Sequence, residues 1–234
     1  MSRVAGGLSL VAGGESRAAE IHQLPSGLGE RWHVPAPLCP TLSELFAASP
    51  RDAGWTSFLL AQIAREKPLL WVQERMAILE SGRIYPPGLG GIELIHVEAR
   101  DARTALWAME EGVRCRGLSG VIGELWGDPA ALDFTATRRL AVASERSGVP
   151  CWLIRLAGTA TLSGARMRWR IASIPSVANP LDPRAPGAPA WDAELFRARG
   201  RQSGRWSIAH EADSFHLVAP SGGGAVEEGE RRRA

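Results

Sequence analysis

From residue 41 onward the apolar positions of this chain fall into short continuous runs separated by stretches of helical period. "TLSELFAA" (41–48), "PLLWVQE" (68–74), "IELIHVEA" (92–99), "LSGVIGELW" (118–126) and "PCWLIRLAG" (150–158) are runs of the first kind. A strand covered on both faces shows such a run, where a half-exposed strand would alternate. Between the runs, "DARTALWAMEEGVRCRG" opens with Asp101 as a cap and sets Ala102, Ala105, Leu106, Met109 and Val113 on one helical stripe. "LDFTATRRLAVASERSG" reads as a second helix, ended by Gly148. Another is expected where Phe58, Leu59, Ala61, Gln62 and Ile63 continue a helical pattern to about Glu66. Strands alternating with helices predict an α/β domain with a mainly parallel sheet flanked by helices.

After residue 160 the rhythm changes to a period of two. In "ARMRWRIASIP", Met167, Trp169 and Ile171 alternate with Arg166, Arg168 and Arg170, which predicts a strand with one basic face and makes those arginines a candidate interaction surface. "WDAELFRARG", "RWSIAHEA" and "SFHLVAP" read as a further strand and a hairpin-like pair. The expected organisation is a partly ordered arm (1–40), an α/β core (41–176), a Pro-rich connection (177–190), a C-terminal β extension (191–219) and a disordered tail (220–234). Within the arm, "AEIHQLP" is a short strand or helix candidate, and Arg31, Trp32 and His33 form a cluster best read as surface packing.

Composition narrows the classes. With 45% hydrophobic and 22% charged residues, 234 positions suffice for one ordinary domain with appendages, or two small ones, and a substantial core. No run approaches the ~18 apolar residues of a membrane span, and the amino terminus is a poor secretory signal, so a cytoplasmic location is expected. Cys39, Cys115 and Cys151 are widely spaced and lack nearby histidine pairs, which favours buried thiols over disulfides or a metal site. The five histidines are scattered and the pattern G-x-S-x-G of serine hydrolases is absent. A formal charge of +2 does not by itself argue nucleic-acid binding. Of the 27 basic residues, all but Lys67 are arginine, a coding bias with a chemical consequence.

That consequence falls on "SPRDAGWT" (49–56), which lies between an apolar run and a helix, the setting of a phosphate-cradling loop. Such a loop, G-x-x-x-x-G-K-[ST], needs glycines that turn N–H groups inward, a lysine for the outer phosphates and a hydroxyl for Mg²⁺. Gly54 and Thr56 are present, but Ser49 replaces the first glycine and Trp55 the lysine. Tryptophan removes the ammonium and adds bulk where phosphates would sit, and Lys67 lies at the far end of the following helix. Arg51 is the charge available within the loop, with a different geometry. Two acids, Glu74 and Glu124, stand at strand ends, where an open parallel sheet lines its ligand crevice. They are the candidate carboxylates for Mg²⁺ or nucleotide.

The order strand, loop, helix, strand ending in Glu74, helix, strand ending in Glu124, helix resembles the ATPase core of the RecA recombinases with its lysine lost. More narrowly, "GRIYPPGL", "ALWAMEE", "GVIGELW", "LDFTATRRLAVASERSGVP", "ARMRWRIASIPS" and "WDAELFRARG" resemble the ImuA family of bacterial RecA-like proteins, over about residues 41–219. The resemblance implies an accessory role in damage-induced translesion synthesis, in an assembly with the ImuB-type Y-family polymerase homologue and an error-prone replicative-type polymerase, RecA being a further candidate partner. It implies a RecA-like core with C-terminal strands, no catalytic residue, no resident cofactor or metal, and indirect DNA contact. Two other readings stand beside it: an ATP–Mg²⁺-binding switch or weak ATPase using Gly54, Thr56, Glu74 and Glu124, and a SulA-like inhibitor of cell division.

Overall fold

The computed structural model describes residues 31–177, 179, 182, 184–211 and 214–218. Among these, the strands are β1 (Arg31–Trp32), β2 (Leu42–Ala47), β3 (Leu69–Glu74), β4 (Leu94–Ala99), β5 (Gly120–Trp126), β6 (Cys151–Leu156), β7 (Met167–Ile174), β8 (Ala190–Ala198), β9 (Gly204–Glu211) and β10 (Ser214–Leu217). The helices are α1 (Trp55–Leu60), α2 (Arg75–Ser81), α3 (Ala102–Arg114) and α4 (Phe134–Ser147), with a 3-10 turn at Pro86–Leu89. All the strands join one sheet in the order β1-β10-β9-β8-β7-β2-β6-β5-β3-β4. From β7 to β4 every neighbouring pair is parallel, and from β7 to β1 every pair is antiparallel.

Helix boundaries follow local chemistry. The Asp101 carboxylate accepts the Thr104 N–H at 2.7 Å and that of Asp133 accepts the Ala136 N–H at 2.7 Å, so α3 and α4 begin at true side-chain caps. Gly148 closes α4 with φ 79°, a left-handed conformation that glycine adopts without steric cost. Helix α1 is shorter than its pattern suggests and stops at Leu60, not near Glu66. The last turn tightens, with Gln62 N–H on Leu59 O at 3.0 Å, while the Gln62 side chain takes Phe58 O at 2.8 Å. Arg31 and Trp32 are not merely a packing cluster, because as β1 they pair with Phe215 and His216.

The sheet has a core on each face. On one, Trp71, Ile122, Ile154, Trp169 and Trp191 meet Phe58 and Leu59 of α1, and on the other Val72, Val121 and Leu153 meet Leu106, Met109 and Leu140 of α3 and α4. The expected C-terminal strands are present and continue the same sheet, lending Trp191, Ile208 and Phe215 to the first core. Cys151 is buried, and burial pushes its thiol above the ordinary range, whereas Cys39 and Cys115 are exposed, against the expectation of three buried thiols. They lie outside the strands, where no core reaches them.

One polar group is enclosed in the middle of the sheet. Glu44 of β2 is fully buried and accepts from Arg168 Nε of β7 at 2.7 Å and Ser163 Oγ at 2.8 Å, with Arg155 Nη1 of β6 at 3.9 Å. Both guanidinium groups also lie over the Phe46 ring, 5.4 and 5.3 Å from its centroid. Arg168 is therefore interior and leaves the proposed interaction surface, because its guanidinium turns toward Glu44 rather than toward solvent. Arg166 and Arg170 are more exposed but pair with Glu145 and Glu194 at 2.7 and 3.0 Å. Removing one partner of a buried ion pair strands the other charge at a cost of about 3–5 kcal/mol. Glu44→Ala should therefore lower the free energy of unfolding by about that amount in urea denaturation, more than Glu145→Ala at the partly exposed pair, expected near 1 kcal/mol or below.

Candidate functional site

The segment "SPRDAGWT" occupies the turn from β2 to α1, at the carboxyl end of the parallel strands. Its local geometry is set by Asp52, a residue that a search for lysine and hydroxyl groups passes over. Asp52 Oδ1 accepts the Gly54 N–H at 3.0 Å, a turn that aspartate commonly makes two residues ahead of the donor. Across the gap to β7 the same carboxylate accepts Ser173 N–H at 2.8 Å and Ser173 Oγ–H at 2.5 Å. Partial burial pushes the Asp52 carboxyl up, but these bonds outweigh it and hold the acid below its ordinary value. Gly54 O accepts Trp191 Nε1–H of β8 at 2.7 Å, so the loop is tied to two strands. A Cβ on Gly54 would lie 2.0 Å from Ser173 Oγ, and close approach is what glycine supplies here.

Trp55, in the position of the lysine, is a core residue. It is 5% exposed and lies 6.1 Å from the Trp71 ring of β3. Arg51, Asp52, Trp55, Thr56, Trp71, Gln73 and Glu124 share one cavity of about 310 Å³, bounded on its outer side by Arg83 and Tyr85. Arg51, Trp55, Thr56 and Glu124 are thus brought together as their order in the chain suggests, with Gly54 adjoining. Ser49 does not line the cavity, and neither does Glu74. Strand alternation explains the second case: Gln73 and Glu124 point to the α1 side of the sheet, so Glu74 points away from it. Glu74 instead accepts the Trp126 N–H at 3.0 Å and ties the ends of β3 and β5 together. A wider groove of about 850 Å³ lies at the opposite, amino end of the parallel strands, among Trp32, Trp152, Trp169 and Lys67. The loop cavity is the candidate site, because ligands of open α/β sheets bind at the carboxyl ends of the strands.

Glu124 is the chemically distinctive group of the cavity. It is 4% exposed and accepts Trp71 Nε1–H at 2.5 Å and Gln73 Nε2–H at 3.1 Å. Burial drives its pKa up to about 7 against these two bonds. Gln73 cannot turn over, because its Oε1 accepts the Ile84 N–H at 3.0 Å and lies 3.0 Å from His96 Nε2. That arrangement places the imidazole proton on Nε2, and burial, helped by the Arg83 charge, holds His96 below its ordinary value. Among the described residues no group of three or more metal-ligating side chains gathers.

No family model matches the chain, and no curated protein matches it. Among solved structures it is similar to that of the RadB recombinase, with 12% identity, a TM-score of 0.50, and coverage of 77% of this chain and 92% of that one. At that identity the likeness speaks of architecture: the fold is that of the RecA-like recombinases, a parallel sheet between helices with added C-terminal strands. No helix among the described residues is long and apolar enough to cross a membrane.

Two predictions follow from this geometry. Asp52→Ala should release the loop from β7, and hydrogen exchange at the Gly54 and Ser173 amides should quicken while that of α4 stays unchanged. Glu124 has a raised folded-state pKa, so its cost to stability is absent below the ordinary glutamate value, grows as pH rises, and is complete above about 7. Glu124→Gln should accordingly gain roughly 2.5 kcal/mol of stability on the parent between pH 5 and pH 8 in paired urea titrations, whatever its offset from losing one acceptor opposite Trp71 and Gln73.

Proposed function

We propose that this chain is a non-catalytic accessory protein of damage-induced translesion DNA synthesis, which docks error-prone polymerase subunits in the cytoplasm. The observation that carries the reading is the state of the loop. Where a hydrolysing recombinase-type core would present inward N–H groups and a lysine, this loop offers an aspartate bonded to its own amide and a tryptophan packed into the core. A triphosphate would have to displace the Asp52 carboxylate against charge repulsion, without a lysine in compensation. The fold is kept while the chemistry of the loop is not, as an adaptor requires.

The resemblance of "LDFTATRRLAVASERSGVP" and "ARMRWRIASIPS" to the ImuA family supplies the pathway and the partners. These are the ImuB-type polymerase homologue, the error-prone replicative-type polymerase and, as a further partner, RecA, with DNA reached through them. Half-exposed Arg170 remains at the surface for such contacts, and Arg166 beside it is three-quarters covered.

A second reading, a nucleotide-binding switch, draws on one observation: Arg51, Thr56 and Glu124 line a single cavity. The two readings separate in solution. Affinity capture of the full chain should retain the ImuB-type protein and the polymerase, and recovery of neither would overturn the adaptor. Calorimetric titration with ATP and Mg²⁺ at millimolar concentration should give no heat and no rise in melting temperature, since any bound ligand would stabilise the fold by mass action. Saturable heat would establish the switch instead.

A further inference from the structure

Two glutamates are buried in the sheet, and they differ in one respect. Glu44 is met by Arg168 and Arg155. Glu124 is held by Trp71 and Gln73, both neutral donors, and no cation among the described residues comes within ion-pair distance. Its remaining acceptor positions face the cavity of about 310 Å³, whose wall includes the indoles of Trp55 and Trp71 and whose outer edge carries Tyr85. Gln73 is pinned by Ile84 and His96, so the carboxyl group is fixed in place before any ligand arrives.

We propose that this cavity is a binding site for a cationic nitrogen group, a guanidinium or an alkylammonium, seated on Glu124 against Trp55 and Trp71. A carboxylate fixed at the base of a cavity accepts two parallel N–H bonds from a guanidinium, and indole faces attract cations. The outer edge adds a second requirement. Arg83 is neutralised by Glu98 at 2.5 Å, whereas Arg51 is exposed and has no ion-pair partner among the described residues. A ligand with its cation inside and a carbonyl or carboxylate outside satisfies both ends. Two sources share that chemistry: a basic side chain of a protein partner, flanked by its own amides, and a free basic amino acid.

The site also has a proton to release. The titratable and charged groups around it are Arg51 and Asp52 from the loop, Arg83 and Tyr85 from the segment after α2, and His96 of β4 acting through Gln73. Glu124 alone among them combines burial with a pKa of about 7, so a cation entering the cavity displaces its proton. Binding should strengthen about tenfold from pH 6 to pH 8, the ratio of the ionised fractions at the two values.

This inference rests on the reading that no Mg²⁺-nucleotide occupies the cavity. ATP calorimetry tests that reading, while the following titration tests this one. The full chain is titrated at pH 6 and 8 with N-acetyl-arginine methylamide, its neutral citrulline analogue and free arginine, by calorimetry and by the NMR signal of the Trp71 indole N–H. The amide-flanked or the free arginine should bind about tenfold more tightly at pH 8, move the Trp71 signal and outcompete citrulline, and Glu124→Gln should remove the pH dependence. Preference for the amide-flanked arginine assigns the source to a polypeptide, and preference for free arginine assigns it to a free basic amino acid. Absence of binding by both cations at pH 8, equal affinity for citrulline, or an unmoved Trp71 signal in the parent protein overturns the site. The parent comparisons stand even where Glu124→Gln fails to fold.

Discussion

The buried contact of Glu44 with Arg168 and Arg155 is the constraint on which the rest of the sheet depends. Strand β2 pairs in parallel with β6 on one side and β7 on the other, and it is enclosed on both faces. A carboxylate in such a strand must find its counter-charge in the neighbouring strands, and the two arginines come one from each. A one-residue slip of either neighbour would turn its arginine to the opposite face and take one of the two counter-charges from Glu44. The register of the strand that ends in the loop is thereby fixed from both sides. Such a group adds little net stability over an apolar core, and its contribution is read here as specificity of pairing.

Because β7 is held in that register, Ser173 falls opposite the loop and Trp191 of β8 falls beyond it. The antiparallel strands are thus more than an appendage to the parallel half. They supply the donors that close the loop around Asp52, and their Trp191 and Phe215 pack on Phe58 of α1. A helix of only six residues owes its persistence to such packing, since isolated helices of that length are unstable in water.

The strands, two of the helices and the position of the loop were legible in the sequence, because continuous apolar runs, the cap Asp101 and the stop Gly148 are local signals, whereas the cap Asp133 emerged only in the structure. What was not legible depends on residues far apart in the chain. The period-two pattern of β7 identifies a basic face but not what faces it, and Glu44 lies 124 residues from Arg168. The same distance effect hid Asp52, whose partner Ser173 lies 121 residues away, while Glu74 ends β3 and Glu124 stands inside β5, so that alternation sends only the second toward α1. The stretch "RDAG" carries the local signal of the Asp52 turn, though not of the cross-strand bonds.

Trp55 and Glu124 belong to one arrangement. A lysine at position 55 would set an ammonium beside the cavity of the acid, and the tryptophan found there brings apolar surface instead. It lines the same cavity as Glu124 and packs on Trp71, the residue that donates to Glu124. Desolvation without a counter-ion is what raises the affinity of Glu124 for its proton. An acid at a strand end in a recombinase-type sheet thus takes its character from the loop opposite. With the indole of Trp55 in its wall, the cavity holds a carboxyl group that is met by neutral donors and by no positive charge.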